Sequence, residues 1–395
     1  MEQPLAKSDA QPISSMKRAS LSELARLFLK LGTVGFGGPP AHIAMMEDEI
    51  VARRGWLTRE QFLDFLGAAN LIPGPTSTEM AIHVGRVTAG WPGLLVAGSS
   101  FILPSTLLVA ALAWAYVRFG SLPQAAGVLY GVKPAVIALI VQAVIKLGRS
   151  ALKSAWLAVV GALTILAFAL GANELAVLAA GGVLTGLAYA LRSRGKKSFS
   201  APLLLTNLTA ISGGAGSAVP FGLTALFLVF LKIGAVLFGG GYVLVALMRS
   251  DLVARLGWIS ERQLLDAIAM GQVTPGPIST AATFIGYVLA GLPGAAIATV
   301  AMFLPAFVFV AASGPLVPRL RRSALAGAVL NGVNVAALAL IAVVTWQLFR
   351  TAVVDWATLG LAAVSSLLLI RYRVNSTWVV LGGAMVGAAG FWLHP

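Results

Sequence analysis

The chain contains one long segment twice. FLKLGTVGFGGPPAHIAMMEDEIVARRGWLTREQFLDFLGAANLIPGPTST begins at Phe28, and FLKIGAVLFGGGYVLVALMRSDLVARLGWISERQLLDAIAMGQVTPGPIST begins at Phe230. The offset of 202 positions, from Phe28 to Phe230, holds without a gap through the Pro-Gly-Pro. One residue then drops out. Ala89, Gly90, Trp91, Pro92 and Gly93 match Ala290, Gly291, Leu292, Pro293 and Gly294, and Leu103-Pro104 matches Leu304-Pro305. A duplicated unit has to fold twice and then pack against itself. In membrane proteins such repeats mark transporters, with the substrate site where the repeats meet.

Composition sets the solvent. Hydrophobic residues make up 58% and charged residues 11% of the 395, against roughly 25% charged in an aqueous domain. Apolar runs near the roughly 20 residues that span a bilayer recur along the chain. They are 94–116, 127–145, 156–170 and 175–191 in the first half, and 223–248, 294–312, 325–348, 356–370 and 378–393 in the second. Residues 1–20 are polar and lack the apolar stretch of a cleaved signal. Absence of cysteine excludes disulfides and thiolate metal sites. No metal or other cofactor is expected.

The net charge of +14 is concentrated in short tracts at apolar-run ends: Lys17-Arg18, Lys146/Arg149/Lys153, Arg192/Arg194/Lys196/Lys197, Arg319/Arg321/Arg322 and Arg371/Arg373. Basic loops face the cytoplasm. The tracts of the two halves fall at non-equivalent loops: Lys146–Lys153 matches the weakly charged Arg350–Asp355, and the poor loop Arg118–Pro123 matches the rich Arg319–Arg322. The same unit then sits in opposite orientations, an inverted-topology repeat. Inversion needs a linking span, and the only segment available is 199–219, free of charge but rich in Ser, Thr, Asn and Gly. The expected fold is therefore an all-α integral membrane protein of about thirteen spans, six, one and six. The amino terminus lies inside and the carboxyl terminus outside. The parts are a cytoplasmic tail (1–20), a first repeat (21–195), a linker (196–220) and a second repeat (221–395).

Each unit carries breaks at membrane depth. Ser20 with Glu23, Thr58 with Gln61 and Ser260 with Gln263 have the spacing of capping boxes that open helices. The first helix carries Lys30 into Gly35–Pro40, where Gly37, Gly38, Pro39 and Pro40 interrupt it; Gly239 and Gly240 do the same in the second unit. Pro73-Gly74-Pro75 and Pro275-Gly276-Pro277 are the second breaks, with Pro75 and Pro277 suited to the first turn of a new helix. Each is either one interrupted span or a re-entrant hairpin. Broken backbone inside a bilayer is tolerated only against protein or a watery cavity. The new helix presents free N–H groups and a positive dipole end, supplemented by the hydroxyls of Thr76, Ser77 and Thr78, and of Ser279 and Thr280. These are parts of an anion site, one set per repeat. The competing account is a packing kink with hydroxyls bonded back to the preceding turn. Two breaks at matched positions, each followed by Ser-Thr, favour the site.

In this order, the paired FGG and PGP segments with GW(L/I)(T/S) between them resemble the chromate ion transporter family, in its long-chain, two-domain form. The resemblance runs from Leu24 to Leu393. It implies a carrier in the bacterial cytoplasmic membrane that exports chromate, confers chromate resistance, and draws on the membrane potential or proton gradient. Some members are linked to sulfate, an isosteric dianion. The residues by themselves reach only an anion transporter with inverted repeats.

Lys30 and Lys232 occupy equivalent positions, and an ionisable group inside an apolar helix is functional by default; anion attraction is the role expected of them, with snorkelling the alternative for Lys30. Asn70 and Gln272, just before each Pro-Gly-Pro, are candidate donors to oxyanion oxygens or to carbonyls freed by the break. Glu79 and His83 are matched by Ala281 and Ile285. They are candidates for proton coupling, with pairing of Glu79 to Arg86 as the alternative. His42, matched by Leu244, reads as a local structural feature, and Lys133, matched by Asn334, as a cavity candidate. The loop with Glu47, Asp48, Glu49, Arg53, Arg54, Arg59 and Glu60 reads as a solvated, salt-bridged surface. The expected partners are chromate, with sulfate as the alternative, and the lipid bilayer. A homodimer is compatible with this reading; nucleic acid is not expected. A passive anion channel is a further alternative. An enzyme is disfavoured because no Gly-x-Ser-x-Gly turn and no paired-carboxylate constellation occurs. An ATP-driven pump is disfavoured because no Gly-x-x-x-x-Gly-Lys-Ser/Thr loop occurs.

Overall fold

The computed structural model describes residues 19–120, 122–193, 220–238, 241–313 and 323–393, and the secondary structure among them is helical without strands. The expected linking span at 199–219, the tracts Lys17-Arg18, Arg194–Lys197 and Arg319–Arg322, and Gly239 and Gly240 lie outside the described residues.

Local chemistry sets the helix starts. Ser20 and Glu23 form the expected capping box and open α1 (Leu21–Val34), which ends at Gly35. Gly37 and Gly38, at φ 104° and 73°, turn the chain into α2 (Pro39–Glu47), which runs on as a π-helical turn, Asp48–Arg53. Thr58 and Gln61 cap α3 (Arg59–Ala69). Pro75 then precedes α4 (Thr76–Phe119) as its N-cap, one position earlier than expected. At 44 residues a straight α4 would be roughly 66 Å long, about twice a hydrocarbon core. It is not straight. Ala89 and Gly90 leave helical geometry, Gly90 at φ 68°, and the arms 76–88 and 91–119 fold back so that the backbones of Gly85 and Gly93 touch. After it come α5 (Pro123–Ala151), α6 (Ala155–Ala169) and α7 (Glu174–Ser193).

The second unit repeats this order. The elements are α8 (Leu223–Val236), α9 (Val243–Met248) with a π-helical turn Arg249–Arg255, and α10 (Glu261–Val273), capped by Ser260 and Gln263. A 3-10 turn, Ile278–Thr280, leads into α11 (Ala281–Ser313), kinked at Ala290 and Gly291. α12 (Ala324–Ala352), α13 (Trp356–Ile370) and α14 (Ser376–Leu393) complete it. The apolar run 223–248 is therefore two helices, the first ending at Val236 and the second starting at Val243, as α1 and α2 are separated in the first unit. Five helices among the described residues are long and apolar enough to cross a membrane, and four more are apolar but shorter.

The two repeats interlock. α4 packs on α11 and α5 on α12, and each is the other's counterpart. The terminal hairpin α13–α14 of the second repeat packs on α5, while α6–α7 of the first packs on α12. Glycines make these approaches possible. Gly131 on α5 meets the Gly383 backbone on α14, and the equivalent Gly332 on α12 meets Gly181 on α7. A Cβ at any of the four would strike backbone, and close backbone packing by small residues is what drives helix association in lipid. The contacts are reciprocal, as a two-fold relation between the repeats requires.

Candidate functional site

The four breaks meet between the repeats. The Gly74 N–H donates to the Leu237 carbonyl at 2.8 Å, and the Gly276 N–H donates to the Gly35 carbonyl at 2.9 Å. Gly35 and Leu237 are equivalent, so each Pro-Gly-Pro is tied to the FGG break of the other repeat. Gly74 and Gly276 sit at φ 152° and 92°, a region L side chains rarely enter. A Cβ at Gly276 would lie 2.8 Å from Ser105 Cβ, and one at Gly74 would lie 2.5 Å from Glu79 Oε1. A buried N–H has to be bonded. These two amides are spent on protein, so Gly74 and Gly276, named as binding candidates, do not offer theirs to a ligand; the N–H groups expected to face the anion are those of the helix starts that follow.

The hydroxyls divide into two groups. Ser77 Oγ lies 3.1 Å from His42 Nδ1, and His42 Nε2 lies 2.8 Å from the Gly35 carbonyl. That carbonyl only accepts, so Nε2 carries the proton and, in the neutral ring, Nδ1 accepts from Ser77. His42 thus pins one break to the other, in line with the structural role read for it. Thr280 Oγ1 donates to the Pro277 carbonyl at 2.9 Å and pairs with Ser105 Oγ at 3.0 Å. By contrast Thr78 Oγ1 and Ser279 Oγ are buried and have no partner among the described residues. Neither carboxylate oxygen of the fully buried Glu79 has one, nor does His83 Nε2. His83 stacks on Phe65 at 5.5 Å. Arg86 does not pair with Glu79; its guanidinium lies 3.6 Å from the ring centre of Trp91. Buried polar atoms without partners are rare in folded proteins, and four side chains of the helix turns after the breaks carry them.

Beside the first break lies a cavity of about 490 Å3, lined among others by Pro39, Asn70, Gly74, Thr76, Lys153 and Asn334. Asn70 is exposed to it. Its counterpart Gln272 is buried, with its amide nitrogen unpartnered.

The two candidate lysines both hold carboxylates. Lys30 Nζ donates to Glu49 at 2.7 Å, and Arg54 bonds the same carboxylate. Lys232 Nζ lies 2.8 Å from Asp251 and 3.4 Å from Glu174; Arg255 adds a bond to Asp251 at 2.9 Å. Lys30 is 55% exposed, Lys232 18% and Asp251 0%. The Lys30 ammonium holds the Glu49 carboxyl below its usual range, against the opposing cost of burial. The loop is salt-bridged as read from the sequence, but Glu49 is buried rather than solvated. The missed signal was in the repeat itself: Glu49 aligns with Asp251, so both halves keep the acid with the lysine. Lys133, the cavity candidate, is also paired, 3.3 Å from Asp266. Among the described residues no group of three or more His, Cys, Asp or Glu could hold a metal.

The family model described as Chromate transporter matches residues 22–187 and again 224–388. A Chromate transport protein of Cupriavidus metallidurans is 34% identical over 396 residues, covering 98% of each chain. A Probable chromate transport protein of Synechococcus elongatus is 32% identical, covering 94% of this chain and 96% of its own. A Chromate transport protein of Pseudomonas aeruginosa is also 32% identical, over 93% and 92%. No solved structure matches this chain. The family model falls on both repeats, identity exceeds 30% along nearly the whole length, and the helices are those of a multi-pass membrane protein: the chain belongs to the chromate transporter family.

Proposed function

We propose that this chain is a secondary transporter that exports chromate across a bacterial cytoplasmic membrane and so confers chromate resistance, with the anion passing where the four breaks meet. The observation that carries this reading is the reciprocal pair of bonds from Gly74 to Leu237 and from Gly276 to Gly35. They hold two helix starts, with unpartnered Thr78 and Ser279 hydroxyls, at one interface. Asn70 and Thr76 open from it into the cavity. Hydroxyl and amide donors around a tetrahedral dianion are the chemistry such a site offers. Glu79 and His83 stand beside it as the proton-coupling pair. The relatives' names supply the word chromate; sulfate has the same shape and charge.

The topology belongs to the same proposal: thirteen spans, amino terminus inside, carboxyl terminus outside, and the repeats antiparallel. Reporter fusions after Arg149 and Arg322 should read cytoplasmic and after Arg350 external. Fusions after Arg149 and Arg350 on one side would end the inverted reading. For function, flux of labelled chromate into everted vesicles should be saturable and should fall when ΔpH or Δψ is collapsed. Stronger competition by sulfate than by chromate itself would transfer the assignment to sulfate. Non-saturable flux indifferent to both gradients would make the protein a channel.

A further inference from the structure

The two repeats do not hold their breaks in the same state. Residues lining the cavity beside the first break have counterparts beside the second, and those are shut away. Asn70 is exposed and its counterpart Gln272 is buried; Ile72 is half-buried and Thr274 is buried; Leu147 is half-buried and Leu348 is fully buried. Tyr242 stands where the first repeat has Pro40.

The shut side is tied between helices at two places. Lys133 on α5 lies 3.3 Å from Asp266 on α10, and the Tyr116 hydroxyl on α4 donates to the same carboxylate at 3.0 Å. On the open side Asn334 replaces Lys133 and lines the cavity. Thr351 on α12 donates to Glu261 on α10 at 2.7 Å, with Arg249 also on Glu261. Its counterpart Ser150 instead bonds Leu147 within its own helix at 2.9 Å. The pair equivalent to Arg249–Glu261 is Glu47–Arg59, with its charges reversed, at 3.2 Å. The two halves therefore keep a similar bridge between their early helices. In the second, Thr351 extends it to the long helix that walls the cavity, while Ser150 turns back on its own helix.

We propose that the structure is one end state of a two-state carrier, and that Lys133, Asp266 and Tyr116, together with Glu261 and Thr351, form the latch that holds the second mouth shut while the first is open. The proposal rests on the transport reading above. In a two-fold pair of repeats the opposite state is reached by exchanging the conformations of the halves. Opening the second mouth has to part Lys133 from Asp266. The ammonium is then released toward the break, where a tetrahedral dianion takes the place of the carboxylate. Lys133 is thus a charge that the anion meets only after the latch opens.

The chain has no cysteine, so single cysteines can report each mouth. The full chain is purified in detergent, and the reaction rate of a water-soluble maleimide is measured with Asn70→Cys and, separately, with Gln272→Cys. The Asn70→Cys protein should react faster by about tenfold or more, as expected if one state holds most of the population. Adding Asp266→Asn should raise the Gln272→Cys rate and lower the Asn70→Cys rate. Adding Lys133→Asp to Asp266→Lys should return both rates toward their starting values. Thr351→Val removes the second tie without leaving a charge unpaired, and it should raise the Gln272→Cys rate even if Asp266→Asn fails to fold. Equal rates at the two positions in the otherwise unchanged chain would overturn the proposal. So would a Gln272→Cys rate indifferent to both Thr351→Val and the charge swap. Labelling needs no substrate. A chain that carries no chromate yet shows these rates keeps the latch and loses the substrate assignment. A chain that carries chromate without them does the reverse.

Discussion

The two Pro-Gly-Pro breaks share a backbone and differ in chemistry. Both glycines lie in the left-handed half of backbone space and both donate across the repeat interface. Around that frame the first break has His42, Asn70, Thr76, Glu79 and His83, where the second has Leu244, Gln272, Ile278, Ala281 and Ile285. The first opens into a cavity; the second is buried. What is common to both is what geometry demands: a bonded N–H, a glycine under a neighbouring side chain, a carbonyl opposite. The first break is the richer in polar and titratable side chains, although Gln272 and Ser279 stand beside the second. A duplicated unit can keep its frame by symmetry and still divide the chemistry unequally.

The largest expected effect breaks the shared frame. Replacing Pro73-Gly74-Pro75 or Pro275-Gly276-Pro277 by three alanines lets each helix run on and removes the bond to Leu237 or Gly35. The equivalent breaks should behave alike, with chromate flux falling by about a hundredfold or more, as expected when site geometry slips by an ångström, while the protein still inserts. Gly276→Ala alone should do much of this, because its Cβ would lie 2.8 Å from Ser105 Cβ. If the second triple variant transports normally, the frame is not shared and the second break is only a packing kink.

The lysines sharpen the comparison next. Lys232→Met leaves the buried Glu174 without its cation and the fully buried Asp251 with Arg255 alone. Losing one partner of a buried ion pair costs about 3–5 kcal/mol, so the variant should express poorly as well as transport poorly. Lys30→Met should cost about 1 kcal/mol or less, since Lys30 is half exposed and Glu49 keeps Arg54. Lys232→Met with Asp251→Asn separates the two roles of the lysine. Recovered thermal stability without recovered flux would assign it to anion attraction; recovery of both would assign it to holding the fold.

Much of this architecture was readable before any coordinates, because the repeat aligns residue by residue and caps are local. Ser20 with Glu23, Thr58 with Gln61 and Ser260 with Gln263 each open a helix where they stand. The breaks at Gly37, Gly38, Pro73 and Pro275 interrupt helices as their chemistry requires. What the chain could not show was which groups meet across the repeats. Gly74 finding Leu237, Thr280 finding Ser105 and Lys133 finding Asp266 are contacts between distant segments, set by packing rather than spacing. The acids that hold Lys30 and Lys232 are legible only when the halves are aligned, for they sit 19 residues on in both; the anion-attracting role expected of the two lysines is a separate matter.

The smallest expected effect separates the two kinds of hydroxyl at the breaks. Ser77 and Thr280 are bonded to His42 and Ser105, whereas Thr78 and Ser279 are buried without partners among the described residues. A bonded hydroxyl contributes to stability by about 1 kcal/mol. An unpartnered one costs stability and is worth keeping only if something binds it. Ser77→Ala and Thr280→Ala should therefore lower thermal stability slightly and leave the chromate KM nearly unchanged. Thr78→Val and Ser279→Ala should leave stability unchanged or raise it, and should raise KM by roughly tenfold for each lost bond to the dianion, since a bond to a charged group is worth about 1.5–3 kcal/mol. Thermal unfolding in detergent and vesicle flux read the two effects apart. If Ser77→Ala raises KM while Thr78→Val does not, the anion binds on the His42 side of the helix start, and the unpartnered hydroxyls are a defect of packing. If Thr78→Val raises KM and Ser279→Ala does not, substrate contacts are confined to the first repeat, and the inequality between the breaks extends to binding itself.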